Sequence, residues 1–381
     1  MSMTLSGDGT ITGLVAGGLP NATVTSDDLA SGAVLNSVSD GVFFRNRIIN
    51  GDMRIDQRNA GASVSRSAGS GDAYQLDRWL TANAADAVYT VQRVSDAPTG
   101  LITSLKITVT TEDASLGASQ INLVRQSIEG NNVSDLAWGS ASAKSVTLSF
   151  WVKSSLTGQF GGSMTNSAGN RTYPFNYTIS SANTWEQKTI TVAGDTSGTW
   201  LTGNNVGIRL DFNIGTGSNF LGTANAWAAS NLVGTTGDTS VVGTLNATWQ
   251  ITGVQLEVGS VATPFEHRSY GEELALCQRY YYRWTSGTAY RFYSTGYFSA
   301  SDTAYVPVQI PVPLRSSPTL ASSGSFRGCG NGCNTISSFS LVAHPESPTF
   351  YCNTSGATAG TVCTIGDNND ASAYLAFDAE L

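Results

Sequence analysis

A chain of 381 residues sets a prior of two to three domains. Only 13% of it is charged, against about 25% in an average soluble protein, while 14 Phe, 14 Tyr and 8 Trp supply ample apolar area; a disordered chain and a coiled coil are both excluded. The net charge of −8, with no basic run, excludes a nucleic-acid binder that tracks phosphates.

The opening MSMTLSGDGT has neither a basic n-region nor an apolar core, and no apolar run approaches the ~20 residues of a membrane span. The expectation is a product made in the cytosol, without membrane insertion. Residues 1–43 are rich in Gly, Ser, Thr and Ala and poor in large apolar groups. Such a segment cannot bury enough surface to order itself. It reads either as a linker or as an extended assembly arm that orders against partners, with one capped helical turn at Thr25–Leu29.

From 44 to 268 the pattern is successive strands. Val146, Leu148, Phe150 and Val152 share one face of a strand and Trp151 the other; Val206, Ile208, Leu210 and Phe212 repeat the alternation, as do Tyr173, Phe175, Tyr177 and Ile179. Trp249 and Ile251 alternate, then Val254, Leu256 and Val258 resume out of phase, which predicts a β-bulge at Thr252-Gly253. Many short alternating strands between Gly, Ser and Asn turns mean a sandwich or jelly roll.

SYGEELALCQRYYYRW is the one helical stretch, with Ser269 as its cap and Glu272 and Glu273 at its positive end. Beyond 285 strands return. Pro307, Pro311 and Pro313 interrupt AYVPVQIPVPL, which predicts an edge or polyproline-like segment. All five cysteines lie after residue 276: Cys329 with Cys333, and Cys352 with Cys363, bracket short loops, leaving Cys277 over. Two short disulfides or five small buried thiols are both compatible with this spacing. A zinc site lacks its Cys-x2-Cys pairs.

No nucleophile elbow, phosphate loop or zinc-protease motif is present, and two His leave few ways to build a triad. Asp211, Glu186, Glu257 and Glu266 are scattered carboxylates that nothing in the sequence pairs. Aromatic side chains are the better lead. Sugar CH faces stack on rings and sugar hydroxyls pair with Asn, Gln, Ser and Thr, so the candidates for carbohydrate contact are Trp151, Trp185, Trp227, Tyr290, Tyr293, Tyr297 and Phe298. Each has core packing or a subunit interface as its competing explanation.

Four phrases, NRIINGDMRIDQRNAGASV, YQLDRW, SFWVKS and ITGVQLEVGSVATPFEHRSYGEELALCQRYY, resemble those of bacteriophage tail-fibre and related virion fibre proteins, over residues about 44 to 284. LPNATVTSDDLASGAV resembles the segment near fibre N-termini. More distantly, 44–268 is similar to jelly-roll carbohydrate-binding modules, with Asn50-Gly51-Asp52-Met53 opening the domain and Ile251 to Glu257 closing it. Those modules hold a structural calcium with acidic residues at the places of Thr252 and Gly253, so no metal and no cofactor is expected here.

The resemblance implies an all-β homotrimeric fibre: an N-terminal attachment and trimerisation arm at 1–43, a jelly roll at 44–268, and a short helix plus a small β tip at 269–381. Leu29, Leu274, Cys277 and Tyr280 are the candidates for the trimer interface. The expected role is non-enzymatic adhesion to host surface polysaccharide by a virion tail fibre, joined to phage tail or head proteins through the arm. The rivals are a tailspike depolymerase and a capsid head fibre.

Overall fold

The computed structural model describes residues 4–5, 11–12, 44–342, 344–346 and 348–381. The chain divides into two compact units, Met1–Arg45 and Asn46–Leu381. In the first, Thr4–Leu5 pairs antiparallel with Ile11–Thr12. The expected turn at Thr25–Leu29, and Leu29 itself, lie outside the described residues.

The regular structure of the second unit is almost entirely strand. Residues 46–268 form two six-stranded antiparallel sheets. One runs Thr172–Ile179, Gly158–Asn166, Val206–Thr216, Ile121–Glu129, Trp79–Asn83, Gly71–Leu76; the other runs Glu186–Val192, Val146–Ser154, Thr248–Val258, Ser104–Thr111, Val88–Val94, Val64–Arg66. The chain passes back and forth between them, so the two inner faces share one core. The alternation decides which side chains enter it. Val146, Leu148, Phe150 and Val152 are wholly buried, as are Leu210, Phe212 and Trp249. Phe150 and Phe212 meet edge-to-face at 5.1 Å across the sandwich. The register of Thr248–Val258 slips between Thr252 and Gln255, and Gly253 adopts φ +59°, the bulge that the phase change predicts.

The phrases of the fibre resemblance interlock. Asn46 donates from Nδ2 to the Val254 carbonyl at 3.0 Å and accepts at Oδ1 from Leu256 N at 3.0 Å. Val254 N donates to the Gly51 carbonyl. A Cβ on Gly51 would stand 2.2 Å from the Val254 oxygen, so only glycine permits the approach. Arg268 reaches back to the Ile48 and Asn46 carbonyls and pairs with Glu273.

The helix Tyr270–Gln278 follows, its Ser269 hydroxyl accepting from Glu272 N at 3.3 Å. We expect Ser269→Ala to cost about 1 kcal/mol of stability, read from urea denaturation; no change would mean the cap is dispensable. The helix packs on Ile49 and Ile55 of its own chain.

The last hundred residues make a second, smaller sandwich. A three-stranded sheet (Tyr281–Thr285, Tyr374–Asp378, Thr319–Ser323) faces a seven-stranded one. The latter runs Cys333–Thr335, Phe326–Cys329, Val362–Asp367, Phe292–Phe298, Thr303–Pro307, Thr349–Asn353, Ser338–Val342. Phe298, Val306, Phe350, Ile365, Leu375 and Phe377 fill the core between them. Thr303–Pro307 is paired on both sides, which corrects the edge-strand expectation: the prolines begin where this strand leaves the sheet.

A buried ionic joint ties the two sandwiches together. Arg279 grips Glu129 with both Nε (3.0 Å) and Nη2 (2.7 Å), and Tyr280 donates its hydroxyl to the same carboxylate at 2.6 Å. Arg78 pairs with Glu380 beneath the Tyr280 ring. Arg58 pairs with Asp378 at 3.0 Å and with Glu380 at 3.3 Å.

Candidate functional site

The seven-stranded sheet turns its outer face away from the core. In GYF, TAYVP and TFYCN, the residues flanking the central tyrosines (Phe298, Ala304, Val306, Phe350, Cys352) are buried, which turns Tyr297, Tyr305 and Tyr351 outward. Register then aligns the three: Tyr297 sits opposite Tyr305, and Tyr305 opposite Tyr351. Tyr297 stacks on Tyr305 at 5.5 Å with 9° between planes, and Tyr305 meets Tyr351 edge-on at 4.5 Å. Tyr297 is 53% exposed.

The row ends in Val362 on one side and Ser340 on the other. Two residues along each strand, on the same face, stand Thr295, Thr364, Pro307, Thr349 and Val342. The patch therefore offers rings, hydroxyls and aliphatic groups without a charge. Its chemistry suits a ligand with CH faces and hydroxyls. Tyr305 and Tyr351 are absent from the sequence candidates, although the alternation around each one marks it as outward.

Farther along this face, Arg327 lies over the half-exposed rings of Tyr290, at 4.5 Å, and Phe292, at 5.3 Å. Tyr290 holds a left-handed backbone, φ 63°, uncommon for a bulky residue. Its N–H and that of Arg291 donate to Asp367. Tyr293 stacks on Trp284 at 5.7 Å, and burial raises its hydroxyl pKa.

The first sandwich carries the tryptophan candidates on its flanks. Trp151 is outward and half-buried, opposite Gln187 and Thr252. Trp185 donates to Asp96 at 3.2 Å, with the Lys153 ammonium 5.0 Å from its ring. Burial would raise the Asp96 carboxyl, but hydrogen bonds from Lys153 and Trp185 outweigh it and hold it below its usual value. Trp227 belongs to a packed cluster, 5.4 Å from Trp138, 5.5 Å from Trp200 and 5.2 Å from Tyr173. Its indole N–H is spent on the Ala193 carbonyl.

Several expectations are corrected. Phe298 is 1% exposed and part of the core, so it cannot stack on a ligand: it neighbours Tyr297 in sequence and therefore points to the opposite face. Cys277 and Tyr280 are wholly buried within their own chain and have no surface left to offer a subunit, whereas Leu274 packs on the same cluster and stays half-buried. Cys329 and Cys333 are bridged, whereas Cys352 and Cys363 are separate buried thiols.

The scattered carboxylates each have a partner. Asp211 is held by Arg125 at 2.6 Å, Glu186 by Lys188 at 2.6 Å, Glu257 by Thr263 at 2.7 Å, and Glu266 by Asn46 N at 2.7 Å. Asp52 is paired with Arg54, and burial raises its carboxyl above the usual value.

No protein-family model and no curated protein matches the chain. Among solved structures it is similar to the enzymatically active domain of tailspike protein 4 of bacteriophage CBA120, at 14% identity and TM-score 0.29, over 56% of this chain and 22% of that one. It is similar to a family 11 carbohydrate-binding module from Clostridium thermocellum, in complex with a mixed-linked tetrasaccharide, at 15% identity and TM-score 0.26, over 55% and 100% of the two chains. A tandem of two family 22 modules from Paenibacillus barcinonensis Xyn10C covers 85% of this chain and 98% of its own, at 10% identity and TM-score 0.24.

Proposed function

We propose that this chain is a non-enzymatic virion fibre protein that adheres to host surface polysaccharide through the tyrosine row of its second sandwich. The observation that carries this reading is Tyr297, Tyr305 and Tyr351 aligned on an uncharged, hydroxyl-bearing sheet face. Such a surface matches the CH faces and hydroxyls of a sugar chain. Three copies joined through the N-terminal arm, the assembly the fibre phrases imply, would multiply weak contacts by avidity. The arm would also make the link to phage tail or head proteins.

Tyr297→Ala is expected to weaken binding of the full-length protein to host cells or purified surface polysaccharide by about tenfold, equivalent to about 1.4 kcal/mol. Tyr305→Ala should do the same. Unchanged adhesion in both would remove the platform from consideration. Release of reducing ends from host polysaccharide would replace adhesion with depolymerase activity. Gold labelling of intact virions separates a tail fibre from a head fibre.

A further inference from the structure

In the second sandwich, between Tyr281–Thr285 and Phe292–Phe298, lies an open cleft of about 360 Å³. Tyr282, Trp284, Phe292 and Tyr293 supply its aromatic walls, and Arg291 its charge. The walls are fixed in place. Trp284 donates to the Tyr282 hydroxyl at 3.0 Å and stacks on Tyr293, whose own hydroxyl donates to the Ala373 carbonyl at 3.1 Å.

Several arginines of the joint and of the first sandwich are neutralised in place. Arg58, Arg78, Arg125, Arg171, Arg268 and Arg279 each sit against a carboxylate. Among the described residues, no carboxylate oxygen comes within ion-pair distance of Arg283, Arg291 or the neighbouring Arg327. Arg283 is held by the Arg58 carbonyl and the Tyr374 ring. Arg291 is tethered at Nη1 alone, to the Thr285 and Ser286 carbonyls at 3.1 and 3.2 Å, which leaves Nε and Nη2 for a ligand.

The nearest candidate counter-ion, Asp367, is committed to the Ser286 hydroxyl and to the amides of Tyr290, Arg291 and Asp370. In a chain of net charge −8, an aromatic cleft with the unpaired guanidinium of Arg291 selects for a carboxylate carried on a group with an apolar ring face.

We propose that this cleft binds a carboxylate-bearing sugar, of the hexuronate class, with the acid on Arg291 and the ring against the aromatic wall. This deepens the adhesion reading and rests on it: the tyrosine row would hold neutral stretches of the polysaccharide and the cleft its acidic residues.

The test is calorimetric titration of the full-length protein with an alginate hexasaccharide and with the same hexasaccharide after reduction of its carboxyls. The acidic form is expected to bind about tenfold more tightly. Arg291→Gln should abolish that preference, while Arg291→Lys should restore it in part. Equal affinity for the two forms, a preference that survives Arg291→Gln, or no binding of either form overturns the assignment; the unaltered protein alone decides the first and last of these.

The two readings fail separately. If Tyr297→Ala destroys adhesion while the two hexasaccharides bind equally, the cleft falls and the platform stands. If Tyr297→Ala and Tyr305→Ala both leave adhesion intact, the platform falls, and the acidic-to-reduced ratio still decides the cleft.

Discussion

Glu380→Ala is expected to lower stability by about 3–5 kcal/mol, the usual cost of leaving one partner of a buried ion pair alone. Arg78 is 1% exposed and its partner's side chain 4%. Glu380 also accepts from Arg78 N at 3.2 Å and pairs with Arg58. Once the carboxylate is gone, the Arg78 guanidinium keeps only the Ser127 carbonyl and the face of Tyr280. Neither neutralises it. Glu380→Gln preserves volume and hydrogen bonding, so it should cost less than the alanine. Urea denaturation followed by tryptophan fluorescence measures both, and a loss under 1 kcal/mol for the alanine variant would show that Arg78 finds another counter-ion or reaches water.

Asp77 gives this joint a dependence on pH. Burial pushes its carboxyl up from 3.8 to about 6, although Arg58 and the hydrogen bonds from Gln57 pull the other way. Gln57 donates to it from N at 2.7 Å and from Nε2 at 2.6 Å. A carboxyl raised on folding takes up its proton more readily in the native state. Its contribution to stability is therefore full below pH 3.8 and is lost as pH rises through 6.

The whole effect is about 3 kcal/mol, from a shift of about two units at 1.36 kcal/mol each. Between pH 7 and pH 4.5 the native protein should gain about 2 kcal/mol relative to Asp77→Asn. The altered hydrogen bonding of the amide shifts the comparison by an amount that does not vary with pH, so the slope is the measurement. Parallel stability profiles for the two proteins would mean that Asp77 titrates normally.

What was legible in the sequence depended on short-range periodicity. Leu148, Phe150 and Val152 alternate because one sheet face is buried, and Thr252-Gly253 breaks phase because the strand bulges there. Ser269 reads as a cap because the orphan N–H of Glu272 lies within reach of its hydroxyl. Where periodicity fails, the reading fails with it. Gly296-Tyr297-Phe298 places two aromatic residues side by side, and alternation cannot say which one faces the core. The strand partners decide it, since Phe298 lies opposite the buried Ala304 and Tyr297 opposite Tyr305. Cys352 and Cys363 look like a loop-closing pair in sequence, yet they stand on strands separated in the sheet by two others.

Composition and alternation by themselves determined that this protein is all β, that its surface is poor in charge, and that Trp249 belongs in a core. Those properties follow from which residues are apolar and how often they recur, and need no knowledge of partners. The tertiary structure alone decided the rest. The tyrosine row draws on residues 297, 305 and 351, and the joint pairs Arg78 with Glu380 across 302 positions. Contacts of that kind are set by sheet order and register, which arise when distant strands bury their faces together and which no local pattern encodes.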